Sequence, residues 1–198
     1  DKGLDLGYDG VFVDNVAYVS ECHGERLGKH THAWKARTNT ECYYDLVGRI
    51  YQLVKSYGPD KAVMINSVIN DDLWSVCDSQ MDENIVFSGD RPERSCQWNR
   101  VLVRYAKAHY EAARHGKVPV WLSYFDLPRR STEMLEGAFF SYVLARLFDL
   151  LWADWFTLVE NGYLHDAART LYQLRLGPAR EEYVERNFVL YRRFQDGA

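Results

Sequence analysis

The sequence predicts an α/β fold with a parallel sheet, and three observations predict it. Short, nearly continuous apolar segments alternate with longer segments of helical periodicity, and strands of that kind need cover on both faces. Several successive apolar segments end in Asp, Asn or Glu, which is how a barrel assembles a site from many strands at one rim. No glycine-rich phosphate loop follows any of them, which counts against an open nucleotide-binding sheet. The expected architecture is therefore a (β/α)8 TIM barrel, of which this chain holds roughly strands four to eight.

The elements follow in order. The opening DKGLDLGYDG reads as the tail of a helix feeding a strand. In GYDGVFVDN, residues 7–15, the run Val11-Phe12-Val13 stops abruptly at Asp14-Asn15, so a short buried strand delivers two polar side chains at its C-terminal end. Residues 16–39 lack periodicity and read as a long loop. Thr40-Glu41-Cys42-Tyr43 then precedes Leu46, Ile50, Leu53 and Val54 at helical spacing, and Gly58-Pro59 stops that helix. Ala62 to Asn66 is a second strand with a polar end, Asn70 to Cys77 has room only for a short helix, and Ser79 to Asn84 is a short extended segment carrying Asp82 and Glu83. A helix is expected from about Glu93 to His115, with Val101, Leu102, Tyr105, Ala108 and Ala112 on one face and Gly116 as its stop. Val118 to Tyr124 is the next strand, followed by Asp126. An apolar helix is expected from Thr132 through Leu151, and Asp154 to Val159 as the last and weakest strand.

Five strands fall short of the eight in a full barrel of roughly 250 residues. On this reading residues 1–174 form the C-terminal portion of a barrel. Residues 175–198 form an exit segment, in which Tyr183, Val184, Phe188, Val189, Leu190 and Tyr191 mark the start of an appended β structure. An incomplete barrel exposes two sheet edges, so the missing N-terminal half or a second copy is expected to close the sheet.

Composition narrows the partners. The 198 residues are 47% apolar and 15% aromatic, ample for a core, and the net charge of −4 comes from interspersed acids and bases without a basic stripe. Nucleic acid is not an expected partner. No apolar run approaches the roughly 20 residues of a membrane span. Cys22, Cys42, Cys77 and Cys96 form no CxxC pair, which disfavours structural zinc, while disulfides and buried thiols both remain open and leave the compartment open too. His30-Thr31-His32 with His23 has the composition of a metal site, but the loop also contains glycine and lysine and reads as solvated; no metal or cofactor is expected. A serine hydrolase elbow G-x-S-x-G does not occur.

GYDGVFVDN resembles a motif of TIM-barrel glycoside hydrolases and their uncharacterised relatives, in which a G-[FY]-D-G-[VI]-[FY]-[LV]-D strand carries an active-site aspartate. NSVINDDLWSVCDSQMDEN is similar to the next two strands of such proteins, and LRLGPAREEYVERNFVLYRRFQDGA to their exit into a C-terminal β domain. The resemblance covers most of the chain, with the first motif its specific part. It implies hydrolysis of O-glycosyl bonds, with Asp14 as nucleophile or base and Glu83 as general acid/base, Asp82 being the rival for the second role. It also implies export.

Glycosidic cleavage needs one carboxylate to attack or direct water and a second to protonate the leaving oxygen. Sugars present apolar CH faces beside hydroxyls, so aromatic platforms next to amides and carboxylates suit them. Tyr18, Trp74, Trp121 and Tyr124 stand near expected strand ends as such platforms, with Asn66 and Asp126 as polar contacts. Asp9 is expected to fix the start of its strand by hydrogen bonding. Two other functions fit the same residues: a sugar-binding barrel without catalysis, and a metal-dependent barrel hydrolase using the histidine loop.

Overall fold

A computed structural model describes residues 2–16, 39–67, 71–83, 100–125, 131–156, 170, 173–174, 176–187 and 189–196. The described strands β1 (Gly10–Val16), β2 (Ala62–Ser67), β3 (Ser79–Glu83), β4 (Val118–Phe125) and β5 (Leu151–Phe156) form one sheet in the order β1-β2-β3-β4-β5. Pairing of β1 with β2, β2 with β3 and β4 with β5 is parallel. Between strands lie helices α2 (Asn39–Tyr57), α3 (Arg100–Arg114) and α4 (Ser131–Leu147), with a 3-10 turn at Asp71–Val76 and a single helical turn, α1 (Lys2–Asp5), ahead of β1. The protein is thus an α/β fold on a five-stranded parallel sheet. Its contacts divide at Met81/Asp82 into two units.

In the first unit, Val11 and Val13 of β1 and the buried Val63 and Ile65 of β2 meet Val47 and Val54 of α2, with Leu73 and Cys77 completing the core. Tyr43, Tyr44, Ile50 and Tyr51 flank it. The inner stripe of α2 is therefore carried by Val47, Val54 and tyrosines, whereas Leu46 and Leu53 stand half exposed. The expected stripe was rotated by about one position because tyrosines, amphipathic by nature, serve here as core. Gly10 is required where it is: a Cβ there would collide with the backbone carbonyl of Ala62 on the neighbouring strand. Asp9 acts at the same place through its backbone carbonyl, which accepts from Ala62 N at 2.9 Å, with Lys61 Nζ 3.9 Å from its carboxylate.

In the second unit, the core joins Leu102, Ala106 and Tyr110 of α3, Trp121 of β4, Ala138, Tyr142, Leu144 and Ala145 of α4, and Phe148, Leu150 and Trp152. Here α4 ends at Leu147 and β5 starts at Leu151, three residues earlier than the expected strand and inside the expected helix. Asp149 adopts φ 55 and Leu150 N donates to Ala145 O at 2.9 Å, which closes the helix with a left-handed cap. An aspartate performs the task usually given to glycine, so no stop was legible. The parallel case at the end of α3 uses Gly116 (φ 76), with Lys117 N donating to Ala112 O, and there the glycine predicted the stop.

The exit segment forms a short antiparallel hairpin, β6 (Val184–Arg186) with β7 (Val189–Tyr191), and an isolated bridge joins Ala179 to Phe194. It belongs to the second unit: Tyr183 and Leu190 pack on that core, and the Tyr183 ring lies 5.1 Å from Tyr110 and 4.9 Å from Phe148 between centroids. Arg192 anchors it. Its buried guanidinium donates to Leu147 O (3.2 Å), Glu181 O (2.8 Å) and Asp149 Oδ2 (2.7 Å), thereby neutralising the carbonyl end of α4. Among the described residues no helix is long and apolar enough to cross a membrane. Cys42 and Cys77 are free thiols; Cys22 and Cys96 lie outside the described residues.

Candidate functional site

The C-terminal end of β1 departs from regular strand geometry. Register runs Val13 to Ile65 and then Val16 to Ser67, so Asp14 and Asn15 together oppose Asn66 in a bulge. Asn15 occupies the left-handed region at φ 56, a conformation its short amide side chain tolerates better than most. Its backbone carbonyl accepts from Tyr43 Oη of α2 at 2.9 Å, which pins the bulge.

The bulge presents an exposed carboxylate gripped by three donors. Asp14 Oδ1 accepts from Asn15 N at 2.9 Å and from Asn66 Nδ2 at 2.8 Å, and Oδ2 accepts from Asn15 Nδ2 at 3.0 Å. Val11 and Val13 face the core, so strand alternation turns Phe12 and Asp14 to the opposite side, where Phe12 remains 49% exposed. The sequence pattern assigns Asp14 and Asn66 to one rim without joining them; the structure brings them into contact. Asn15 was not singled out as a functional residue, although the Asp-Asn ending of an apolar run is the signal that marks it.

On β3 the two neighbouring acids have different surroundings. Asp82 is 2% exposed and its Oδ2 lies 3.3 Å from His109 Nε2 of α3, itself fully buried. His109 Nδ1 accepts from Trp121 Nε1 of β4 at 2.7 Å. That bond requires an unprotonated Nδ1, which places the ring proton on Nε2, toward Asp82. Burial pushes the His109 pKa down to about 4, in accord with a neutral ring; an imidazolium would gain attraction to Asp82 but lose the indole bond. Strand alternation assigns Glu83 the face of β3 opposite Asp82, and it is half-buried.

Trp121 is thereby corrected from a ligand platform to a core residue, 1% exposed, because odd positions of β4 face the helices: Ser123 likewise bonds Ser141 of α4 at 3.2 Å. Trp74, on the 3-10 turn, is a half-buried member of the first unit's core. Tyr124 pairs through its backbone with Trp155, and its side chain lies outside the described residues. Tyr18, Asp126, His23, His30 and His32 also lie outside them. The buried histidine of α3 was not legible in the sequence as a core residue because it interrupts an otherwise apolar face.

No family model matches the chain, and no curated protein matches it.

Proposed function

We propose that the protein is a glycoside hydrolase of TIM-barrel architecture, its five parallel strands corresponding to strands four to eight. The observation that carries the reading is Asp14: an exposed carboxylate at a strand's C-terminal end, set on a bulge and oriented by the amides of Asn15 and Asn66. Polar groups fixed at that end of parallel strands suit a barrel's catalytic rim. Of the two acids on β3, Asp82 faces buried His109 of α3, whereas strand alternation turns Glu83 to the other face of the strand, which suits Glu83 as the acid/base. Asp14 then attacks the anomeric carbon or activates water, while Glu83 delivers its proton to the departing glycosidic oxygen and afterwards takes one from water. The amide of Asn66 serves both to hold Asp14 and to meet a sugar hydroxyl.

The test is hydrolysis of a broad glycan panel by the protein beside Asp14→Asn and Glu83→Gln variants of verified fold. Loss of about 100-fold or more in both variants is expected for removal of a nucleophile or an acid/base. Full activity in either folded variant refutes its assignment. Sugar binding without cleavage by the unaltered protein replaces this reading with the non-catalytic, carbohydrate-binding barrel.

A further inference from the structure

The second unit contains a cleft of about 420 Å³ beside the start of β5, within the size range of small-molecule sites. Its apolar lining includes Tyr142 and Trp152, each under a tenth exposed and packed edge to face at 6.1 Å, with Leu150 and Leu176. Two opposite charges share the cleft, Arg146 and Asp196, and neither has an ion-pair partner among the described residues.

Both are held through one glycine. Arg146 Nη2 donates to Gly177 O at 3.2 Å, and its guanidinium stacks over Phe194 at 5.1 Å. Gly177 has φ +67, and a Cβ there would stand 2.5 Å from Asp196 Oδ2, so the carboxylate rests against its bare Cα. The Asp196 backbone is fixed in turn by donation to Leu176 O at 3.0 Å. A cation and an anion are thus pre-organised in one aromatic-lined cleft without neutralising each other. A ligand complementary to that arrangement carries a carboxylate for Arg146, an ammonium for Asp196 and an apolar side group for the lining.

We propose that this cleft binds a free α-amino acid with an aromatic or branched aliphatic side chain. The site is independent of Asp14 and Glu83, and its test does not involve glycan hydrolysis.

The experiment is calorimetric titration of the unaltered protein with L-phenylalanine, L-leucine, glycine, L-phenylalaninamide and N-acetyl-L-phenylalanine. Phenylalanine and leucine should saturate one site. The amide, which lacks the carboxylate, the N-acetyl derivative, which lacks the ammonium, and glycine, which lacks the apolar group, should each bind about tenfold or more weakly. Asp196→Asn should weaken phenylalanine about tenfold while leaving the N-acetyl derivative unchanged, and Arg146→Gln should do the corresponding thing for the amide. No saturation by about 10 mM, or equal binding of phenylalanine and phenylalaninamide, overturns the proposal. Because the ligand series uses unaltered protein, its outcome is decisive even where Arg146→Gln, which loses its bond to Gly177, does not fold.

Discussion

Asn15 concentrates several demands in one residue: a positive φ, a backbone and a side-chain donor for Asp14, and a carbonyl for Tyr43. A β-branched side chain in the left-handed region is strained, so Asn15→Val should lose about 1–2 kcal/mol in urea denaturation, whereas Asn15→Gly should stay within about 0.5 kcal/mol. Equal losses in the two variants would show that the backbone conformation is not what asparagine secures. His109 makes a second residue-scale prediction. Its pKa is lowered in the fold, so above pH ~6.5 both folded and unfolded states carry a neutral ring, and no pH-dependent difference arises. As pH falls from ~6.5 toward ~4 the unfolded chain takes up a proton that the folded chain refuses. Stability should drop across that window by on the order of 3 kcal/mol at most, and His109→Gln should flatten this part of the profile. Parallel profiles for the two proteins would remove His109 as the cause.

Among elements, the C-terminal hairpin depends on Arg192, whose side chain is 6% exposed and bonds three separate acceptors. Arg192→Met removes the guanidinium that lies over Tyr110 and leaves the end of α4 and Asp149 without their cation. A loss of about 2–4 kcal/mol is expected by thermal or chemical denaturation. A change under about 0.5 kcal/mol would mean that the hairpin's aromatic contacts suffice alone. The end of α3 was legible from Gly116, although its buried face is carried by Leu102, Ala106, His109 and Tyr110 rather than by the expected Tyr105, Ala108 and Ala112. Elements were misplaced where a non-glycine residue did glycine's work, as Asp149 does at the end of α4. Which strand side chains face inward was not legible for β1, where Val11-Phe12-Val13 reads as one buried apolar run although Phe12 stands 49% exposed. Nor was it legible for β4, where a tryptophan suited to a ligand hydrogen-bonds a histidine on the neighbouring helix. Contacts formed between distant segments leave no local pattern, which is also why the sequence does not show that Asp82 lies against His109.

For the molecule as a whole, two hydrophobic clusters anchor two contact units, and each should answer to its own perturbation. Val63→Ala empties space beside Val47 and Ile65, at a cost of about 1–3 kcal/mol. Native-state hydrogen exchange should show the amides of β2 losing protection by that amount, with the amides of β4 affected less. Uniform loss across both strands would instead reveal a single cooperative unit.

The sheet order also bears on how the chain comes to be folded at all. Within the described five-stranded sheet each strand lies beside its successor along the sequence, so pairing there does not wait for a segment further off than the next strand. Asp14 and Asn66, 52 residues apart, stand at the wide end of the separations to be closed, since Met64 and Ser79 pair across 15 residues and Val120 and Leu151 across 31, and the entropy of loop closure grows only slowly with such lengths. Synthesis from the N-terminus presents β1, α2 and β2 together with most of the first core before β4 exists, so the bulge that holds Asp14 can be set while the chain is still emerging from the ribosome.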